Sequence, residues 1–131
     1  MQKYILTLTL GCLASILPVQ LGHAEEVNIP DPVTEIQARW EENTIILSWK
    51  KVSFSGGIQG YKIYFSSESI LQNEGSYEDV QEVLSDTGSY IFPKAPLPSK
   101  EIYFTMFAVG KNGQESAGFV VESKILNNSV I

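Results

Sequence analysis

The stretch Thr44-Ile45-Ile46-Leu47-Ser48-Trp49-Lys50-Lys51-Val52 decides the fold. Ile45, Leu47 and Trp49 share one parity, and Thr44, Ile46 and Ser48 the other. A period of two marks a half-buried β-strand, because successive side chains point to opposite faces. An indole on the inward parity predicts a plug for the middle of a core, since a buried tryptophan covers about 150–250 Å². Its replacement by Ala is expected to cost about 3–5 kcal/mol. Upstream, Ile36, Ala38 and Trp40 repeat the alternation, and Glu41-Glu42-Asn43 turns one strand into the next.

Downstream the same grammar recurs. Phe54 to Gly57 is a loop with paired glycines, Tyr61, Ile63 and Phe65 alternate, and Ser66 to Ser76 is polar. Tyr77 to Leu84 is a mixed acidic segment in which Val80, Val83 and Leu84 also have near-helical spacing. Its Tyr and Val content and its flanking turn residues favour a strand. Asp86-Thr87-Gly88 turns it into Ser89 to Phe92, and Pro93, Pro96 and Pro98 follow, none able to donate to a ladder. Ile102 to Val109 is the most apolar run, Lys111-Asn112-Gly113-Gln114 a hairpin signal, and Phe119, Val121 and Ile125 a last alternation. Seven short strands with no sustained helical period predict an all-β antiparallel sandwich.

The ends and the charge narrow the class. Of the 131 residues, the first 24 hold Lys3, an apolar run from Tyr4 to Leu17, the breaker Pro18 and the small-x-small exit Gly22-His23-Ala24. That is the plan of a secretory signal peptide, entered as a helix and cut between Ala24 and Glu25. Two other exits remain open: lipid attachment at Cys12, or an uncleaved anchor, although a spanning helix needs about 20 apolar residues. All three place the domain outside the cytoplasm, secreted or periplasmic. The expected organisation is signal peptide 1–24, acidic linker 25–32, folded domain 33–126 and polar tail 127–131. After cleavage, eight basic residues face 15 acidic ones, a net charge of −7 that repels nucleic acid and anionic lipid. No membrane insertion is expected after processing. Cys12 and His23 are the only cysteine and histidine. The processed chain therefore lacks a disulfide, a Cys or His zinc site, a thiol nucleophile and a Ser–His dyad.

Pro32 to Trp49, ending in Thr-Ile-Ile-Leu-Ser-Trp-Lys-Lys-Val, is similar to the first two strands of a fibronectin type III domain, an immunoglobulin-like sandwich. Ile58-Gln59-Gly60-Tyr61-Lys62-Ile63-Tyr64 resembles that family's third strand. Ile102 to Val109, followed by Lys111-Asn112-Gly113-Gln114-Glu115-Ser116, resembles its penultimate strand and last hairpin. The resemblance runs in order from Pro32 to Ile125 and implies three strands stacked on four, no cofactor, and adhesive or spacer roles. The chain departs from the family in two places. The tyrosine that pins the turn into the penultimate strand is replaced by Ile102 if Phe104, Met106 and Ala108 face inward. It is Tyr103 if Thr105, Phe107 and Val109 do. The first register is favoured because its inward set is wholly apolar, and it predicts a looser corner. The loop Gly110 to Ser116 also lacks Arg-Gly-Asp, so integrin-type recognition is not implied.

Four constellations bear on function. Glu74, Glu78, Asp79 and Glu82 match no calcium-loop spacing and read as charges guarding an outer strand. Trp40, Tyr64, Tyr77 and Tyr90 are candidates for an aromatic platform; Tyr64 is expected outward and Trp40 as a lid on the core's end. Phe54 with Gly56-Gly57, the turn at Asp86 to Ser89 and the turn at Lys111 to Gln114 should meet at one pole, where Phe54 either anchors a contact or folds back on its own loop. Asn127-Asn128-Ser129 fits an N-glycosylation acceptor. The candidate partner contacts are Phe54, Tyr64, Lys111, Asn112 and Gln114. The expected function is a secreted, non-catalytic module that recognises a protein or glycan through its loops. A structural spacer or assembly subunit, and a carbohydrate-binding module, are the alternatives.

Overall fold

The computed structural model describes residues 28–129. The signal peptide, the Ala24–Glu25 cut and the Cys12 lipidation alternative lie outside the described residues. Seven strands form in order: β1 (Ile36–Glu41), β2 (Thr44–Trp49), β3 (Ile58–Ser66), β4 (Asp79–Val83), β5 (Ser89–Phe92), β6 (Glu101–Gly110) and β7 (Ser123–Leu126). One sheet has the order β1-β2-β5 and the other β4-β3-β6-β7, and every pairing is antiparallel. The segment that carried the helical ambiguity is β4, paired with β3 from Tyr61↔Val83 to Phe65↔Asp79.

The period-two parity becomes the core. Ile45, Leu47 and Trp49 of β2 are buried against Tyr61, Ile63 and Phe65 of β3 and Ile102, Phe104, Met106 and Ala108 of β6. Trp49 and Tyr61 meet with ring centroids 5.2 Å apart. Phe92 meets Phe65 at 5.8 Å and Phe104 at 5.6 Å, so aromatic contacts join the two sheets at the other end of the core. β6 adopts the register with Ile102 inward, as its apolar set requires.

Three expectations need correction. The last alternation does not form one strand from Phe119: only Ser123–Leu126 pairs with β6. The hairpin turn itself forms, with Gly113 at φ 84° and the Gly110 N–H donating to Gln114 O at 2.9 Å. The chain then leaves the ladder, Gly118 at φ 58°, and residues 117–122 cross the outer face of the four-stranded sheet as a strap. Phe119 in that strap stacks on Phe107 at 4.4 Å and 11°, and the Thr105 hydroxyl donates to Val121 O at 2.6 Å. Thr105 is therefore fully buried (0% exposed) despite its outward parity.

The second correction concerns the corner before β6. The Asn127 amide donates to Leu97 O at 2.9 Å and Ser99 O at 2.8 Å, and the Asn127 backbone N–H to Lys100 O at 2.7 Å. The turn is pinned from the end of the chain instead of by a phenol, so it is not loose. The third concerns the leader. Pro30 is buried and Asn28 O accepts from Asn112, so residues 28–32 lie along the domain instead of acting as a free linker.

Candidate functional site

The loops at the far ends of β2 and β6 meet at one pole. The Gly57 N–H donates to Phe54 O at 2.8 Å, and the Lys111 N–H to Gly57 O at 2.9 Å, stitching the Lys50 to Gly57 loop to the β6 turn. Phe54 folds back on its own loop: a Cβ on Gly110 would fall 2.7 Å from its ring, so any larger residue at Gly110 would have to displace the ring. The ring packs against the edge of the core and fixes the loop without presenting a free anchor. Beneath it, the Tyr61 hydroxyl accepts from Val52 N–H at 3.0 Å and donates to Asp86 at 3.5 Å. Burial pushes the Tyr61 phenol up from its ordinary range, opposed by the Val52 bond and reinforced by the Asp86 charge.

On this backbone-locked surface Lys111, Asn112 and Gln114 are exposed. Asn112 donates to Asn28 O at 3.0 Å and accepts from Gln114 N–H at 3.1 Å, so the turn and the leader hold one another. Lys50 and Lys51 are exposed at the end of β2, on the same pole. Among the described residues, Lys50, Lys51 and Lys111 make no ion pair, nor do the exposed Lys94 and Lys100 at the opposite pole, whereas Arg39, Lys62 and Lys124 pair with Glu41, Glu115 and Glu101. The Lys62–Glu115 pair, at 2.5 Å, holds the ammonium above its usual range through the hydrogen bond to Glu115. Lys50 and Lys51 were absent from the expected contacts. Their signal was two adjacent lysines after Trp49 in an acidic chain.

Of the expected contacts, Phe54, Lys111, Asn112 and Gln114 share this pole and Tyr64 does not. Tyr64 points outward from the core as its parity dictates, but the strap covers it, leaving 7% exposed. Its ring makes edge contacts with Tyr77 (4.7 Å), Phe107 (5.3 Å) and Phe119 (5.1 Å), so it cannot meet a partner. Burial pushes its phenol up, with the Glu115 charge the next contribution. Tyr90 packs on Phe92 at 4.9 Å. Trp40 is half-buried at the other pole, packed against the core as a lid, and its indole donates to Leu126 O at 2.7 Å.

The carboxylates have structural employment. Glu78 accepts from Ser67 N–H at 2.8 Å and from the Ser67 and Ser66 hydroxyls, which holds its carboxyl below the usual range. Glu122, from the strap, accepts from Ile70 N–H at 2.9 Å and from the Ser69 hydroxyl, tying the strap to the loop after β3. Among the described residues no three His, Cys, Asp or Glu side chains are grouped to hold a metal ion. Among the same residues no helix is long and apolar enough to cross a membrane.

No family model matches the chain. The third fibronectin III domain of a human protein superimposes with a TM-score of 0.59 at 16% identity, over 83% of this chain and 90% of that one. A Caenorhabditis elegans protein with Ig-like and fibronectin type III domains is 33% identical over 111 residues. The sandwich is a fibronectin type III-like domain. The match to the nematode protein covers 68% of this chain and 8% of that relative's length. The chain also superimposes on part of the spore cortex lytic enzyme SleM of Clostridium perfringens, with a TM-score of 0.54 at 19% identity. That match covers 75% of this chain and 28% of the enzyme, and at such identity the likeness is one of fold alone.

Proposed function

We propose that this fibronectin type III-like domain is an exported, non-catalytic binding module that docks an acidic protein surface on its loop pole. The observation that carries the reading is the set Lys50, Lys51 and Lys111, exposed and without an acidic partner among the described residues, on one pole of a chain of net charge −6. Like-signed charges left unpaired on a rigid pole serve encounter and orientation more than folding. Lys3, the apolar run and Gly22-His23-Ala24 support export.

The test is crosslinking of the domain to envelope and medium fractions of its host, beside a Lys51→Glu/Lys111→Glu variant. Capture of a protein by the wild type, lost in the variant and weakened by salt, supports the reading. Capture that the double variant retains sinks it, and capture of a glycan on this pole redirects it. A spacer is favoured by one observation: Asn28 sits at the loop pole and Asn127 at the opposite one, so the described chain enters and leaves at opposite ends. Failure to capture anything from either fraction would select the spacer.

A further inference from the structure

At the pole opposite the lysines lies an open groove of about 630 Å³. Trp40 lines it together with Glu42, Asn43, Lys94, Asn128 and the proline-rich wall Pro93 to Pro98. We propose that this groove binds a chain of an uncharged polysaccharide. The site is separate from the loop pole, so it stands or falls independently of the function proposed above.

The chemistry of the lining argues for that occupant. An indole offers an apolar, polarizable wall for the C–H face of a pyranose ring, and the Asn43 and Asn128 amides can both donate to and accept from sugar hydroxyls. Glu42 and Lys94 contribute one charge of each sign, so the groove is locally balanced on a chain of net charge −6. A polyanionic chain finds a single ammonium in this lining, and a polycation a single carboxylate. An uncharged, polyhydroxylated ligand is the one this set of groups complements. Its volume falls in the usual range of about 300–1,000 Å³ for small-molecule sites.

The groove is also built in advance. The Trp40 indole is tied to Leu126 O at 2.7 Å, which fixes its ring. The proline wall has restricted φ, and the Asn127 amide locks Leu97 O and Ser99 O behind it. At the lip, Glu42 holds φ 57° in a two-residue hairpin turn, a conformation that glycine or asparagine adopts at less cost. Strain kept at a binding edge and walls fixed before contact both reduce the ordering cost of binding. The platform anticipated from Trp40 and Tyr64 together does not form, because Tyr64 is under the strap. Trp40 alone remains, with amides around it.

The experiment is native electrophoresis of the purified protein in gels containing hydroxyethylcellulose, galactomannan or xyloglucan, all uncharged, with polygalacturonate as the charged comparison. The expected result is retardation by at least one uncharged polymer and none by polygalacturonate. Glu42→Ala should weaken it, and Trp40→Ala should lower affinity about thirtyfold or more, the loss typical of a central aromatic anchor. Gln37→Ala, exposed on β1 outside the groove and neutral in both forms, should leave it unchanged. Absence of retardation in all three gels, or retardation that survives both Trp40→Ala and Glu42→Ala, overturns the proposal. Should Trp40→Ala fail to fold, the indole N–H resonances of the ¹⁵N-labelled wild type decide. A shift at Trp40 but not Trp49 on adding the polymer supports the site, and any other outcome rejects it.

Discussion

The Asn127 amide donates to the Leu97 carbonyl at 2.9 Å, across thirty residues of chain, and so closes the turn that feeds β6. The same amide nitrogen donates to Ser99 O, while its oxygen accepts from the Ser129 N–H at 3.1 Å and the Ser129 hydroxyl at 2.5 Å. Ile102, fully buried, has no hydroxyl to do this work. The side chain whose sequence context fits a glycan acceptor is therefore a buried clamp with its donors and acceptor in use, and in the folded domain its nitrogen is not offered to a sugar.

Asn127→Ala is expected to cost about 2–4 kcal/mol, because it leaves two carbonyls of a partly buried turn without donors. Asn127→Asp should cost more, since an acceptor then faces two acceptors. Urea midpoints of the three proteins test this; equal midpoints would show that the clamp contributes nothing.

Gly60 sits at the irregularity where β3 shifts register against β6. A Cβ there would lie 2.0 Å from Val83 O, inside the β4 backbone. Gly60→Ala should destabilise by about 2–3 kcal/mol through forced separation of β3 and β4. Thermal unfolding by circular dichroism checks this, and an unmoved transition would contradict the close approach.

The Trp49 indole N–H is buried without an acceptor. Trp49→Ala should cost about 3–5 kcal/mol as a core truncation. Trp49→Phe should cost less than half of that, because the lost volume is partly offset by removal of an unsatisfied donor. Guanidinium denaturation separates the two.

Phe119→Ala opens the outer layer. With its cover gone, Tyr64 is rehydrated and its phenol should return toward the ordinary range, which an ultraviolet titration reads as one tyrosine ionising earlier. A titration curve identical to wild type would show that the strap does not shield that ring.

Glu78 is held below its ordinary carboxylate range by Ser67 and Ser66. A depressed folded value means that its contribution is fully present above the unfolded range, near pH 4.3, and is lost as pH falls through the folded value. The urea midpoint of wild type should therefore drop more between pH 5 and pH 3 than that of Glu78→Gln. Parallel pH profiles would remove Glu78 from the acid limb.

The inner layer was legible because period-two alternation reports burial directly. Ile45, Leu47 and Trp49, Tyr61, Ile63 and Phe65, and Phe104, Met106 and Ala108 all obey it, and the pole holding Phe54, Lys111, Asn112 and Gln114 followed from topology. The outer layer was not legible. Phe119, Val121 and Ile125 alternate as a strand would, and a one-dimensional pattern cannot distinguish an inner face from an outer face covered by the chain's own return. Tyr64 and Thr105 are the residues misread for that reason. The Asn127 clamp gave no local sign either, because an asparagine in a polar tail becomes informative only once folding brings Leu97 and Ser99 beside it.

The strap leaves the central pair of the larger sheet, β3 and β6, with side-chain layers above and below. Around Tyr64, Phe65, Phe104 and Thr105 the paired amides of these strands are covered by side chains on both faces. In deuterium oxide these protons should be the slowest in the molecule to trade for deuterium, released only when the entire domain opens, while those of β5 and β7, at the margins, exchange through smaller excursions.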